Sequence, residues 1–136
     1  AGLGGAARGV DAGDSVDVAE EAARALASRT GGVVAVSGPV DFITDGPRAA
    51  RVANGHPMMA RITVMGCSLN GVIAAFCAGQ PVFDATVAAL AAYGVAGEQA
   101  NQTAQGPGSF QMAFLDALYH LTPEALDAAA RIEVVA

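Results

Sequence analysis

The residues best suited to chemistry lie in one short segment, where Met65-Gly66-Cys67 joins an apolar run to a helical pattern. The stretch from Arg61 to Phe76 reads RITVMGCSLNGVIAAF, so a strand-like run stops at small residues and a helix begins at once. The first N–H groups of a helix lack partners within it, and with the helix dipole they attract anions. The same position lowers the pKa expected for a thiol. The segment therefore predicts an anion site beside a reactive cysteine.

Each candidate residue also has a purely structural interpretation. A free cysteine is commonly a small, buried hydrophobic residue. This structural role is an alternative for Cys67, and it is our interpretation of Cys77, which lies on an apolar helix face. Ser37-Gly38 ends an apolar strand, where open α/β sheets bind ligands, but an ordinary turn looks the same. His56, next to a turn and without a partner, is interpreted as solvated. The segment from Gly106 to Phe110 fits either an anion site or a capped helix junction.

Composition restricts the class of protein. The chain has 136 residues, of which 53% are hydrophobic and 15% charged, as expected for one folded domain. Its apolar stretches are too short for a membrane span, and no signal peptide is visible at its start. The net charge is −6, the seven basic residues are scattered arginines, and aromatic residues are only 5%. Without a basic stripe or stacking platform, nucleic acid is not an expected partner, and neither is a membrane.

The metal-binding residue types do not have the spacing of a metal site. The two cysteines are ten residues apart, which fits neither a zinc motif nor a disulfide framework, and a reducing, cytoplasmic setting is the simplest interpretation. An acidic run contains Asp11, Asp14, Asp17 and Glu20. It lacks the glycine and the terminal glutamate of a calcium loop, so it is interpreted as a helix start.

The hydrophobic pattern predicts an α/β fold. A Gly-rich loop at 1–15 precedes a helix over 16–28, and the apolar run 33–37 follows as a strand buried on both faces, which is typical of a parallel sheet. Short strands are predicted at 41–45 and 48–53, with a turn at Gly46-Pro47. Asn54-Gly55 is a strong hairpin signal and is expected to join 48–53 to 57–63 at an antiparallel edge.

The rest of the chain is predicted to be mostly helical. The predicted helices cover about 67–78, the region after Pro81 towards Thr103, a stretch from Phe110 to about Tyr119 capped by Ser109, and a short last helix starting at Thr122-Pro123. Residues 131–135 are expected to form a closing edge strand.

Several segments together resemble the hydroxyethylthiazole kinase family. Thr63-Val64-Met65-Gly66-Cys67, with Leu69 and Ala74-Ala75-Phe76, looks like the family signature. Five other segments agree with the family in order and spacing: Arg8-Gly9-Val10-Asp11, Ser37-Gly38-Pro39-Val40-Asp41, Asn54-Gly55-His56, Tyr93-Gly94-Val95-Ala96 and Gly106-Pro107-Gly108-Ser109-Phe110. The resemblance covers essentially the whole chain, but only the C-terminal half of the family.

The resemblance implies a ribokinase-like, three-layer α/β/α fold, of which residues 1–136 form the C-terminal part of a single domain. Helices are then expected on a mostly parallel sheet with an antiparallel edge hairpin. The implied activity is phosphorylation of the hydroxyl of 4-methyl-5-(2-hydroxyethyl)thiazole by ATP and Mg²⁺, in thiamine synthesis and salvage. The implied assembly is a homotrimer of the full-length protein.

The resemblance also assigns roles to residues. Cys67 stands where related kinases carry a catalytic aspartate, and the N–H groups of Met65, Gly66 and Cys67 would form an anion hole for the transferring phosphoryl group. Ser37, with Gly38 beside it, stands where the family contacts ATP. The family usually has Gly at Val64, where its backbone contacts the thiazole, and a small residue at Met65, so the bulkier side chains here could alter substrate preference.

Three interpretations of function follow. In the first, the chain is part of a hydroxyethylthiazole kinase and is inactive alone, because the Mg²⁺ ligands and most of the thiazole pocket belong to the N-terminal half of the family. In the second, it comes from a ribokinase-like kinase for another small alcohol. In the third, it is a non-catalytic fragment or assembly partner.

Overall fold

The computed structural model describes residues 16–135, with side chains from residue 18 onward. The helices are α1 (Val16–Thr30), α2 (Met65–Phe76), α3 (Val82–Asn101), α4 (Pro107–His120) and α5 (Pro123–Ala129), and a 3-10 helix covers Pro57–Arg61. The strands are β1 (Val34–Val36), β2 (Asp41–Thr44), β3 (Ala49–Val52) and β4 (Ile132–Val135). The predicted Gly-rich loop and the Arg8–Asp11 segment lie outside the described residues.

The four strands form one sheet in the order β1-β2-β3-β4, and each of the three pairings is antiparallel. The expected mostly parallel sheet is therefore not present in the described part of the chain. The physical reason is the short connection after β1, since only residues 37–40 separate it from β2 and a parallel crossover needs a dozen or more. β1 is an edge strand of this sheet and is only partly buried. The predicted turn at Gly46-Pro47 and the closing strand near the C-terminus are both confirmed.

The predicted hairpin at Asn54-Gly55 is wrong. The chain leaves the sheet there and enters the 3-10 helix, because Pro57 has no N–H for a strand ladder and its fixed φ suits a helix start. His56 caps that helix, with its Nδ1 accepting a hydrogen bond from the Met58 N–H at 3.1 Å. The interpretation of His56 as a solvated side chain is therefore replaced by a half-buried capping role.

The sheet is covered by helices on both faces. Phe42 and Ala49 pack with Ala23 of α1, whereas Ile43 and Val52 join the main core around α3. β2 is therefore buried at all four positions.

The helices begin close to their predicted positions but not at them. α2 begins at Met65, two residues before Cys67, and α4 begins at Pro107 with no side-chain cap at Gly106. Ser109 does not cap α4 from outside, because it lies within the helix and its Oγ accepts a hydrogen bond from the Gln105 N–H. α5 begins at Thr122-Pro123 as predicted, and Thr122 caps it. Within residues 16–135 no helix combines the length and apolar character needed to cross a membrane.

Candidate active site

Several of the predicted residues lie at one end of the sheet. Val36 pairs with Phe42 and Asp41 pairs with Val52, so β1 and β3 end where β2 begins. Val52 also pairs with Ile132, which brings the start of β4 to the same end. The Ser37-Gly38 turn, the Asn54 segment and Arg131 therefore all leave the sheet on one side.

Asn54 is the centre of a hydrogen-bond network at this end. It is 5% exposed, and its Nδ2 donates to the Ala129 carbonyl at 3.0 Å and to Glu98 at 3.3 Å, while its Oδ1 accepts from the Arg131 N–H at 2.7 Å. Glu98 also accepts from the Gly55 N–H at 2.7 Å and pairs with the Arg131 guanidinium. Burial alone raises the pKa of Glu98, but the hydrogen bonds from Arg131, Gly55 and Asn54 outweigh it and hold that pKa below its ordinary value.

Two glycines on α3 leave room for the chain that follows β3 to pack against the helix backbone. A Cβ on Gly94 would lie 2.6 Å from the carbonyl carbon and oxygen of Asn54, and a Cβ on Gly97 would overlap the Met59 sulfur. The segment from Asn54 to Met59 therefore lies directly against the backbone of α3. This contact fixes the route by which the chain reaches residue 64 and the start of α2.

Val64 turns the chain into α2 in a left-handed backbone conformation. Its φ is 76° and its ψ is −10°, a region that a β-branched residue rarely adopts. Val64 is 63% exposed, so the conformation is not the result of side-chain burial. Strained residues of this kind concentrate at functional sites. The strain lies at the position where the resemblance implies a family glycine.

We predict that Val64→Gly stabilises the chain by about 1 kcal/mol, because it removes the left-handed penalty of about 1–2 kcal/mol and loses little packing. Urea denaturation measures the difference. The matched control is Val82→Gly, which changes a half-exposed valine at the start of α3 and is expected to destabilise by about 1 kcal/mol. A Val64→Gly variant that loses stability as the control does would contradict the strain argument.

The first turn of α2 exposes backbone donors. The Met65 N–H faces the Ile62 carbonyl at 3.4 Å and the Ser68 N–H bonds to the Val64 carbonyl at 2.8 Å. No side chain caps the helix, and the N–H groups of Gly66 and Cys67 have no hydrogen-bond partner among the described residues. Gly66 and Cys67 are both exposed, and a Cβ on Gly66 would meet nothing within 4 Å. Unpaired N–H groups in the first turn of a helix are the donors that typically bind an anion.

The two cysteines differ in position. Cys67 is exposed in the first turn of α2, so the alternative of a buried, purely structural residue does not hold for it. Cys77 is half-buried after the end of α2, with its sulfur 3.8 Å from the Thr86 hydroxyl and 3.9 Å from the Val82 carbonyl. Cys77 therefore packs against the start of α3, in keeping with a structural role.

The Ser37-Gly38 turn is held by a buried carboxyl group. Asp41 is 9% exposed, and its Oδ1 accepts a hydrogen bond from the Gly38 N–H at 2.9 Å. Burial raises the pKa of Asp41 from 3.8 to about 6, although the Gly38 hydrogen bond lowers it in part. The sequence predicts only that Asp41 begins a short strand, and it gives this side chain no role.

We predict that Asp41→Asn stabilises the chain at pH 7.5 by about 2 kcal/mol and has little effect at pH 4. The amide keeps an oxygen for the Gly38 N–H. The folded chain holds the Asp41 proton up to about pH 6, whereas the unfolded chain releases it near 3.8, so the carboxyl destabilises the fold progressively as the pH rises between these values. Urea denaturation at both pH values measures this, and an equal gain at both would contradict it.

No group of three or more His, Cys, Asp or Glu side chains gathers to hold a metal ion within the described part of the chain. Asp41 and Glu98, the two acidic groups at the sheet end, are each engaged by protein donors.

The sequence predicts a helix start near Met65-Gly66-Cys67 but does not predict the hydrogen-bond network at the end of the sheet. Asn54 and Gly55 were interpreted as a hairpin turn, and Glu98 and Arg131 received no role. A signal for Glu98 was present, since it and Asp84 are the only charged residues in the otherwise apolar α3 sequence. The open apolar groove between α2, α3 and α4 is lined by none of the predicted site residues.

Comparison with known proteins identifies the family. The hydroxyethylthiazole kinase family model matches residues 1–124. A hydroxyethylthiazole kinase of Cereibacter sphaeroides is 61% identical over 126 residues, which cover 93% of this chain and 48% of that protein. Another, of Roseobacter denitrificans, is 53% identical over 119 residues, covering 88% of this chain and 46% of its own length.

A solved structure agrees with this result. The hydroxyethylthiazole kinase of Pyrococcus horikoshii superimposes with a TM-score of 0.84 at 33% identity, over 88% of this chain and 47% of its own. The chain thus spans about half the length of the relatives it matches. By its sequence and its fold, this chain belongs to the hydroxyethylthiazole kinase family.

Proposed function

We propose that the chain is the C-terminal part of a kinase that transfers the γ-phosphoryl group of ATP to the hydroxyl of 4-methyl-5-(2-hydroxyethyl)thiazole. It forms part of a single ribokinase-like, three-layer domain, whose remaining strands and helices belong to the other half. The observation that carries this proposal is the first turn of α2, where two exposed residues have N–H groups without a partner among the described residues, in a chain of this family.

The anion hole for the transferring group consists of backbone donors at Met65, Gly66 and Cys67. Among the described residues, the N–H groups of Gly66 and Cys67 have no partner, whereas the Met65 N–H already faces the Ile62 carbonyl at 3.4 Å. The Gly66 and Cys67 donors therefore carry most of the interaction with the phosphoryl group. Phosphoryl transfer depends mainly on positioning and on stabilising charge at the equatorial oxygens. Fixed N–H groups at a helix start meet that requirement.

The other predicted residues take positions around this hole. The Cys67 thiol lies beside the substrate hydroxyl and assists removal of its proton. Ser37 and Gly38 contact ATP from the turn that Asp41 holds. The backbone of Val64 contacts the thiazole, and its exposed side chain narrows the pocket on that side.

Magnesium supplies charge neutralisation on the phosphates when it is bound. The resemblance to the family assigns its ligands to the other half of the protein. The same half supplies most of the thiazole pocket, and a homotrimer of the full-length protein completes the site. On this basis the 136-residue chain alone has negligible turnover.

A chimaera tests the proposal. The N-terminal half of the Cereibacter sphaeroides relative is joined to this chain at the start of the matched region, and phosphorylation of the thiazole alcohol by MgATP is measured. We expect turnover by the chimaera and none by this chain. Robust activity of the isolated chain, or no activity from a folded chimaera, would contradict the proposal.

The second candidate is a kinase for another small alcohol. Val64 favours it, because a β-branched side chain projects where the family usually has glycine. The same chimaera decides between the two when it is offered pyrimidine and pyridoxine-type alcohols. A preference for either over the thiazole alcohol would support the second candidate, and inactivity on all three would support a non-catalytic fragment.

A further inference from the structure

Tyr93 of α3 reaches the first turn of α2. Its side chain is 4% exposed, and its hydroxyl donates to the Met65 carbonyl at 2.7 Å and lies 2.6 Å from the Ser68 hydroxyl. Its ring packs edge-on against Phe114, with the centroids 4.8 Å apart. Burial raises the pKa of Tyr93, although a hydrogen bond from Ser68 lowers it in part, so the phenol remains a neutral donor.

The Met65 carbonyl that receives this hydrogen bond belongs to the same peptide unit as the Gly66 N–H. A peptide unit is planar and rigid, so a donor that holds its oxygen on one side also fixes the direction of the N–H on the other. Gly66 is exposed, and its N–H has no partner in the part of the chain that the structure covers. A hydrogen bond to the carbonyl also polarises the unit and strengthens its N–H as a donor.

We infer that Tyr93 is a positioning residue for phosphoryl transfer, acting through the Met65–Gly66 peptide unit to aim and polarise the Gly66 N–H. The catalytic role of Tyr93 rests on the proposed function, whereas the contact between Tyr93 and the Met65 carbonyl does not. Tyr93 touches neither the substrate nor the transferring group.

The substitution Tyr93→Phe isolates the hydroxyl. The phenyl ring keeps its contact with Phe114, and the Ser68 hydroxyl can still donate to the Met65 carbonyl at 2.9 Å, so no polar group is left buried without a partner. The variant should therefore fold. The control is Tyr119→Phe, which removes a hydroxyl from a tyrosine that is 85% exposed on α4.

Two readouts decide the inference. In the 136-residue chain, we expect the Gly66 amide ¹⁵N resonance to shift in Tyr93→Phe and to stay in place in Tyr119→Phe. In the chimaera, kcat should fall about tenfold in Tyr93→Phe, as expected for one weakened transition-state donor, with the KM values for ATP and the thiazole alcohol within twofold. Tyr119→Phe should match the unsubstituted chimaera.

The outcomes separate this inference from the proposed function. An unmoved Gly66 resonance overturns the inference whatever the activity. A shifted resonance with unchanged kcat overturns the catalytic role of the contact. A KM increase with unchanged kcat shows a ground-state binding effect and also overturns it. Absence of turnover in the unsubstituted chimaera overturns the proposed function, and with it the catalytic role, while the amide shift still decides whether Tyr93 holds the peptide unit.

Discussion

Replacing Gly94 by alanine is expected to destabilise the chain by about 3 kcal/mol or more, which is enough to unfold a marginally stable domain. A Cβ at this position would lie 2.6 Å from the backbone carbon and oxygen of Asn54. Neither partner can move easily, because Asn54 is fixed by hydrogen bonds to Glu98, Ala129 and Arg131, and α3 is buried along most of its length. Circular dichroism and urea denaturation measure the loss.

Gly71→Ala is the matched control for Gly94→Ala. Gly71 lies inside α2, is exposed, and would place its Cβ in open space. Alanine is the better helix former there, so this variant should gain up to about 1 kcal/mol. A Gly94→Ala variant as stable as the parent chain would show that α3 does not contact the Asn54 segment as described.

Replacing Cys67 by alanine in the chimaera is expected to lower kcat by about 100-fold, the low end of the range for a positioned general base. The thiol is exposed in the turn that carries the free N–H groups, so it can reach a substrate hydroxyl bound there. A thiol is a weak base at neutral pH, and the anion hole remains intact in the variant, so activity should persist at a reduced level. Steady-state kinetics with the thiazole alcohol and MgATP measure the loss.

The control for Cys67→Ala is Cys77→Ala. Cys77 contacts Val82 and Thr86 and lies ten residues further along, so its removal should leave kcat unchanged while slightly lowering stability. Equal turnover by the Cys67→Ala variant and the unsubstituted chimaera would reduce Cys67 to a residue without a catalytic role.

Local sequence signals predicted the elements whose conformation depends mainly on their own residues. Thr122-Pro123 starts α5 because the threonine caps the helix and proline suits its first turn. The turn at Gly46-Pro47 holds because Gly46 adopts a positive φ of 101°. The helix start at Met65-Gly66-Cys67 was also visible, to within two residues.

Features that depend on distant residues were not predictable in the same way. Asn54-Gly55 reads as a hairpin, but Glu98 and Arg131, 44 and 77 residues further along, bind this segment and divert it from the sheet. The parallel strand at 33–37 was inferred from its apolar sequence alone, whereas its neighbour in the sheet is determined by the short turn that follows. The Tyr93 contact joins α3 to α2 and has no local sequence signal.

We propose that the first turn of α2 holds the phosphoryl group during transfer. The most direct measurement is a crystal structure of the chimaera with MgADP, the thiazole alcohol and aluminium fluoride, which mimics the transferring group. We predict that the aluminium fluoride lies within hydrogen-bond distance, about 3 Å, of the N–H groups of Gly66 and Cys67. An aluminium fluoride bound between ADP and the alcohol without contact to the first turn of α2 would contradict the claim.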